Sequence, residues 1–271
     1  MAGHIHLIRE KGGIARLVLA KPENGNALTG EMVRELICHL ESLQWEPPDK
    51  LRFLVLEGEG DYFCSGSDTT ELRRAGELPG DDNIREAFLF ARLFRELSAL
   101  PFPSAAVVRG GAMGAGAGLV ASADYIVAEE GASFGTPEAR SGLVPAVAGL
   151  YLARKIGLAG LSAMTLRGAG VSAGDALRMG LIHRVSPKEM LREEALALER
   201  DLLSCGPESL RKIKLLLLKM FPLPENVIEE FAAMQSAEAP ASREGREGID
   251  SADQGRQPDW MRVNGTEGGG K

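Results

Sequence analysis

The sequence predicts an α/β fold, on three observations. Short β-type runs alternate with helical periodicity in the order strand, strand, helix, strand, helix, strand, helix. At the centre, residues 105–108 (AAVV) run into the glycine stretch 109–124, RGGAMGAGAGLVASAD, which reads as strand, turn and the first turns of a helix. After Pro187 the periodicity is helical alone.

Taken in order, residues 4–8 and 14–19 alternate as two hairpin strands around Gly12-Gly13. Residues 21–26 carry turn chemistry, and Thr29, with Met32 after it, is the N-cap of a helix running to 43. Residues 45–49 (WEPPD) end that helix, and 52–56 form a buried strand. Residues 58–70 (GEGDYFCSGSDTT) read as a loop; helical periodicity returns over 83–100 and stops at Pro101 and Pro103. Residues 125–128 are a strand, and Ala132-Ser133-Phe134 begin another. A loop through Pro145 precedes a helix at 146–156, and a helix at 172–179 passes through Gly180 into a strand at 181–185. Three helices follow, at 189–203, 207–219 and 224–237, and residues 263–271 have the composition of a disordered tail.

With 271 residues, 44% hydrophobic and 25% charged, the chain can bury one full core. A net charge of −7 argues against nucleic-acid binding. No apolar run reaches membrane-spanning length, and the first residues resemble neither a secretory signal nor a transit peptide, so the expected location is cytoplasmic. Cys38, Cys64 and Cys205 stand apart without metal-ligand spacing; reduced thiols and no metal site are expected.

The glycine stretch suits chemistry at an oxygen. A helix start has N–H groups without internal partners, and the macrodipole adds positive potential there. It can therefore hold an anion, or an oxygen that becomes one during reaction. A dinucleotide site is a rival, since residues 116–121 satisfy G-x-G-x-x-A; the next strand arrives too soon for a Rossmann crossover, and the Glu129-Glu130 pair is too near for a ribose acid. A serine hydrolase is a second rival, but neither Ser65 nor Ser67 sits in G-x-S-x-G; His4 and His6 lie on a strand face, and His39 and His183 read as structural. The third reading joins three pieces. In FCSGSD (63–68), a turn through Gly66 lets the Ser67 N–H point outward; Gly114-Ala115-Gly116 is the cradle; Glu138 follows a proline in a charge-poor stretch.

These pieces carry a resemblance. KPENGNALT (21–29), FCSGSD, the glycine stretch ending in ASAD, FGTPEARSGLVP (134–145) and ALRMGLIHRV (176–185) occur in the order found in the enoyl-CoA hydratase/isomerase, or crotonase, family. The resemblance covers nearly the whole chain. It implies a spiral of repeated ββα units over residues 1–195, and a helical trimerisation or lid region over 196–262. It implies a homotrimer or a hexamer. It also implies an enzyme acting on an acyl-CoA thioester with no cofactor beyond that coenzyme A. By motif position the oxyanion donors are the Ser67 and Ala115 N–H groups, and Glu138 is the catalytic acid/base. Ala27, Ser65, Gly66, Asp68, Gly114, Gly116 and Gly118 are the substrate- and CoA-binding positions. Removing a proton beside a thioester puts negative charge on its oxygen, and losing one such donor costs about 3–4 kcal/mol of transition-state stabilisation.

The sequence departs from the family at one position above all. Family hydratases use two glutamates; the second is Glu138, and the first falls on Gly118. The single-glutamate pattern is similar to Δ3,Δ2-enoyl-CoA isomerases, which move one proton between two carbons. It also resembles dehydratases of branched 3-hydroxyacyl thioesters on acyl-carrier proteins, and a family member that has lost catalysis remains an alternative. Ala146 stands where dehalogenases and dienoyl isomerases of the family have an aspartate, which disfavours both chemistries. Ala115 replaces the family's usual glycine. Among the other polar groups, Asp68 reads as a turn former, Asp124 as structural, and Glu71 and Glu129 as solvated. Tyr62 and Tyr151 suit an acyl pocket or the core, and Arg211 and Lys219 a solvated helix face or CoA phosphates.

Overall fold

A computed structural model describes residues 3–78 and 80–262. The hairpin forms from the two alternating runs: β1 (Ile5–Glu10) pairs antiparallel with β2 (Ile14–Leu19). Next come α1 (Gly30–Leu43), β3 (Phe53–Gly58), α2 (Thr69–Glu77) and α3 (Gly80–Ala99). The central segment gives β4 (Ser104–Val108), β5 (Gly111–Met113) and α4 (Ala115–Ser122). It is followed by β6 (Tyr125–Glu129), β7 (Ser133–Gly135), a 3-10 turn (Pro137–Ser141) and α5 (Ala146–Thr165). The chain continues through β8 (Val171–Ser172), α6 (Ala173–Arg178) and β9 (Arg184–Ser186). The helical region is α7 (Leu191–Ser204), α8 (Pro207–Met220), α9 (Asn226–Ala241), α10 (Arg243–Asp253) and α11 (Asp259–Arg262).

Two sheets organise these elements, ordered β1-β2-β3-β4-β6-β9 and β5-β7-β8. From β2 onward the large sheet is parallel. Each pass of the chain places one strand in it, then a short segment in or beside the small sheet, then a helix. Thus β3 leads to a bridge at Cys64, β4 to β5, and β6 to β7. This is the repeated strand–strand–helix spiral. A strand buried on both faces needs apolar residues throughout, and β4 (SAAVV) is buried at every position.

Helix α1 shows sequence setting local structure. The Thr29 hydroxyl accepts the Met32 N–H at 3.2 Å, and Met32, Val33, Leu36, Ile37, Leu40 and Leu43 form its buried face. Thr29→Ala should cost about 1 kcal/mol. The measurement is a lower urea midpoint with an unchanged slope.

Four expectations need correction. The loop read over 58–70 ends at Asp68, and residues 69–77, mostly unassigned from sequence, form α2; it buries no residue fully, so it lacks the buried apolar stripe that reveals a helix, and only its cap, Asp68, betrays it. The strand expected at 181–185 begins at Arg184, because the Leu181 and Ile182 N–H groups bond back to the Ala176 carbonyl. Helix α5 continues past Ile156 to Thr165 through a break at Gly157 (φ +66°). Helix α9 extends to Ala241, and α10, a polar segment, follows it. The tail expected at 263–271 lies outside the described residues.

Asp124 is structural: it accepts hydrogen bonds from the Ser104 N–H and from Lys214 Nζ (2.5 Å). His183 Nδ1 accepts the Ile126 N–H, and burial lowers its pKa to about 4, so the ring stays neutral. Glu129 is not solvated; it is buried, and its Oε1 accepts the Gly110 N–H at 2.8 Å.

Candidate active site

The first amide is presented by a bridge. Leu28 pairs in parallel with Ser67: the Leu28 N–H donates to the Gly66 carbonyl (2.7 Å), and the Asp68 N–H donates to the Leu28 carbonyl (2.9 Å). In a parallel bridge the groups flanking the central residue are consumed, so its own N–H faces the other way. The Ser67 N–H makes no backbone hydrogen bond among the described residues, and Ser67 lines a cavity of about 320 Å³. Asp68 then caps α2, its Oδ1 accepting the Thr70 and Glu71 N–H groups, while Asn24 holds its other oxygen.

The second amide is the first of α4. The Gly114 N–H is spent on the Gly135 carbonyl (2.8 Å), and Ala115 opens the helix with its N–H unclaimed among the described residues. The two loops touch. A Cβ on Gly66, whose φ is +113°, would lie 3.1 Å from the Met113 carbonyl oxygen, and one on Gly114 (φ +52°) would lie 2.8 Å from Glu138 Oε1. Only glycine lets these three pieces approach so closely.

Glu138 arrives from the other side. β7 ends at Gly135, already tied to Gly114, and the 3-10 turn starting at Pro137 aims the next residue over the cradle. Its Oε2 is shut off from solvent and has no hydrogen-bond partner among the described residues. Burial raises its pKa from 4.5 to about 7. It forms no ion pair with Arg140 among the described residues. A partly buried carboxylate of this pKa can both take and return a proton near neutrality.

The remaining wall is apolar. Phe90 and Phe94 of α3, Leu72 and Ala75 of α2, and Val147 and Ala148 of α5 face the same cavity. No motif marks them, although the Phe90/Phe94 spacing lies on one face of the 83–100 helix that the periodicity predicts. Ser236 and Pro240 of α9 also line it, from a part of the chain no motif marked.

Of the positions read from the motifs, the cavity wall brings together Ser65, Gly66, Ser67, Asp68, Gly114, Ala115 and Glu138. It does not include Ala27, Gly116 or Gly118. Ala27 is buried, its N–H donating to Asn24 Oδ1. Gly116 packs on Cys64, whose carbonyl oxygen would be 2.5 Å from an added Cβ. Gly118 lies under Phe94. Glu71 is a further correction: it is not simply solvated, because its Oε2 accepts the Gly30 N–H at 2.6 Å beside the cavity. Tyr151 belongs to the core, fully buried and donating to Glu229 Oε1 at 2.8 Å. Arg211 bonds the Glu46 and Leu51 carbonyls. The described residues hold no cluster suited to a metal ion.

Comparison with known proteins decides the class. The enoyl-CoA hydratase/isomerase family model matches residues 9–263. The chain belongs to that family. Its relatives in the family include a Thermus thermophilus protein whose name assigns it to the enoyl-CoA hydratases, 34% identical over 92% of this chain and 98% of its own. The rat enoyl-CoA hydratase domain-containing protein 3, mitochondrial, is 33% identical over 93% of this chain and 83% of its own. A solved enoyl-CoA hydratase from Mycobacterium avium superposes with a TM-score of 0.81 at 28% identity, covering 96% of this chain and all of that one (100%). The spiral with its C-terminal helices is therefore the crotonase fold, and the protein is an enzyme of the hydratase/isomerase type. No helix among the described residues is long and apolar enough to cross a membrane.

Proposed function

We propose that this family member moves the double bond of an enoyl-CoA thioester, with Glu138 as the single acid/base and the Ser67 and Ala115 amides holding the thioester oxygen. In a 3-enoyl thioester, the Glu138 carboxylate takes a proton from C2. The C2–H electron pair flows through the carbonyl to a dienolate whose oxygen the two amides stabilise. The protonated acid then delivers the same proton to C4, leaving the double bond between C2 and C3. Atoms and charge balance without water.

The observation that carries this reading is the solitude of Glu138. Phe94 covers Gly118, where a second carboxylate would stand to activate water. The other acids on the cavity wall are engaged: Asp68 caps α2, Glu71 holds the Gly30 N–H, and Glu86 pairs with Arg34 at 2.6 Å. The relatives' names favour a second reading, addition or removal of water with substrate or solvent as the second proton donor. Purified protein given 3-enoyl, 2-enoyl and 3-hydroxyacyl thioesters in heavy water separates them. Migration with the C2 hydrogen carried to C4 and little uptake of solvent deuterium is expected; water addition without migration selects the second reading. Neither migration, hydration nor C2 exchange, on CoA or on a carrier protein, would sink both and leave a binding subunit.

For assembly we propose a homotrimer, or a hexamer of two trimers. Support comes from α8, α9 and the link between them, which leave Leu216, Met220, Phe221, Val227 and Phe231 exposed. Light scattering on the purified chain tests it.

A further inference from the structure

The turn that carries Glu138 is braced from behind by helix α10. Helix α10 lies against it backbone to backbone. A Cβ on Gly248 would overlap the Ser141 carbonyl and come within 2.6 Å of its Cα. A Cβ on Gly142 (φ +64°) would overlap the Glu244 carbonyl and lie 2.8 Å from the Gly245 nitrogen. Neither position admits a side chain. The same helical hairpin grips the element that follows the first amide. A Cβ on Gly76 of α2 would be 2.6 Å from the Pro240 carbonyl oxygen, and Arg73 pairs with Asp250 (3.2 Å) and with Asp253. One unit, α9–α10, therefore touches both halves of the site.

We infer that α10 sets the position of the Glu138 carboxylate, with Gly248 as the positioning residue. Gly248 does not meet substrate; it acts through the Ser141 backbone, three residues beyond the acid. Close-packed backbones have no soft direction in which to yield, so a displaced α10 carries the turn with it. A displacement of about 1 Å at a catalytic group costs on the order of 10²-fold in rate. The inference rests on the reading of Glu138 as acid/base, and its test keeps the two apart.

The charged groups that line the cavity around Glu138 are Arg34 on α1, Asp68, Glu71 and Arg74 at α2, and Glu86 on α3; Arg140 lies on the turn itself, and α10 carries Arg243, Glu244, Arg246, Glu247, Asp250 and Asp253. The first two turns of α5, and all of α4, β5 and β7, carry none. Burial, not one of these charges, raises the pKa of Glu138. Loosening α10 admits water to the turn and lets that value fall.

The experiment is Gly248→Ala in the full-length protein, with folding checked by circular dichroism. Two readouts are taken: kcat and KM for a 3-enoyl-CoA, and a carbon-13 titration of the Glu138 side chain, assigned by its loss in Glu138→Gln. The expected result is a kcat lower by about 10²-fold, a nearly unchanged KM, and a carboxyl titrating below its wild-type value. A folded variant with wild-type kcat and an unmoved titration overturns the inference. Should Gly248→Ala not fold, the surface variant Arg73→Ala decides by the titration alone: a fall supports α10 as the brace, and no change rejects it. Activity retained by Glu138→Gln defeats the acid/base reading instead, while the titration still judges the brace.

Discussion

Glu138→Gln is expected to lower kcat by about 10³-fold, within the 10²–10⁴ range of general acid/base catalysis. KM should change little. Glutamine keeps the shape and can still sit over the Gly114 turn, but it cannot accept the C2 proton. Since the base is the carboxylate, wild-type kcat/KM should rise with pH through about 7, where the buried acid ionises. Stability should move the other way. The folded-state pKa lies above its unfolded value of 4.5, so between 4.5 and about 7 the folded state binds more protons than the unfolded one. The stabilisation from keeping that acid neutral is complete below 4.5 and is lost as pH rises through about 7. On that difference the loss is about 3 kcal/mol at most. Glu138→Gln has no such term, so it should unfold at a higher temperature than wild type at pH 8 and at a similar temperature at pH 4.5. Melting curves at the two pH values check this. Equal melting curves at pH 8 would mean that Glu138 is solvated and ordinary.

Much of this was legible in the sequence, and the exceptions share a cause. The Thr29 cap, the apolar stripe of α1, the strand–glycine–helix passage into α4 and the isolated Glu138 are local features, written within a few neighbouring residues. What the sequence hid depends on distant partners. Helix α2 has no buried stripe and is held by its ends, through Asp68 and through contacts with α9 and α10. Glu71 and Glu129 look like surface acids until the fold brings the Gly30 and Gly110 N–H groups to them. Gly118 could be seen to lack a side chain, but not what replaces it. That replacement comes from Phe94, a residue of a different pass of the spiral.

Gly118→Glu, which restores the second glutamate of the hydratase pattern, is expected to destabilise the fold rather than create a hydratase. A Cβ there would lie 2.5 Å from Phe94 Cζ, 2.7 Å from Cε2 and 3.1 Å from the Ala148 Cβ. On its core side Phe94 is blocked. It packs edge-on against Tyr151, with centroids 5.5 Å apart, and Tyr151 is fixed by Glu229, which Arg95 holds at 2.6 Å. Overpacking alone costs about 1–3 kcal/mol, and an unpaired buried carboxyl adds about 1–3 kcal/mol more. The midpoint of urea unfolding measures the sum. The double variant Gly118→Glu/Phe94→Ala separates steric exclusion from other causes. Phe94→Ala by itself should lose about 3–5 kcal/mol. Combined with the glutamate it should lose less than the two singles added, by about 0.5–3 kcal/mol for residues in direct contact. The vacated space would also let water reach C3 beside a second carboxylate, so the double variant, and not the single one, should show hydration of a 2-enoyl thioester. A single variant that melts like wild type and hydrates would mean that the ring yields readily, and that Phe94 is not what keeps water from the reacting carbons.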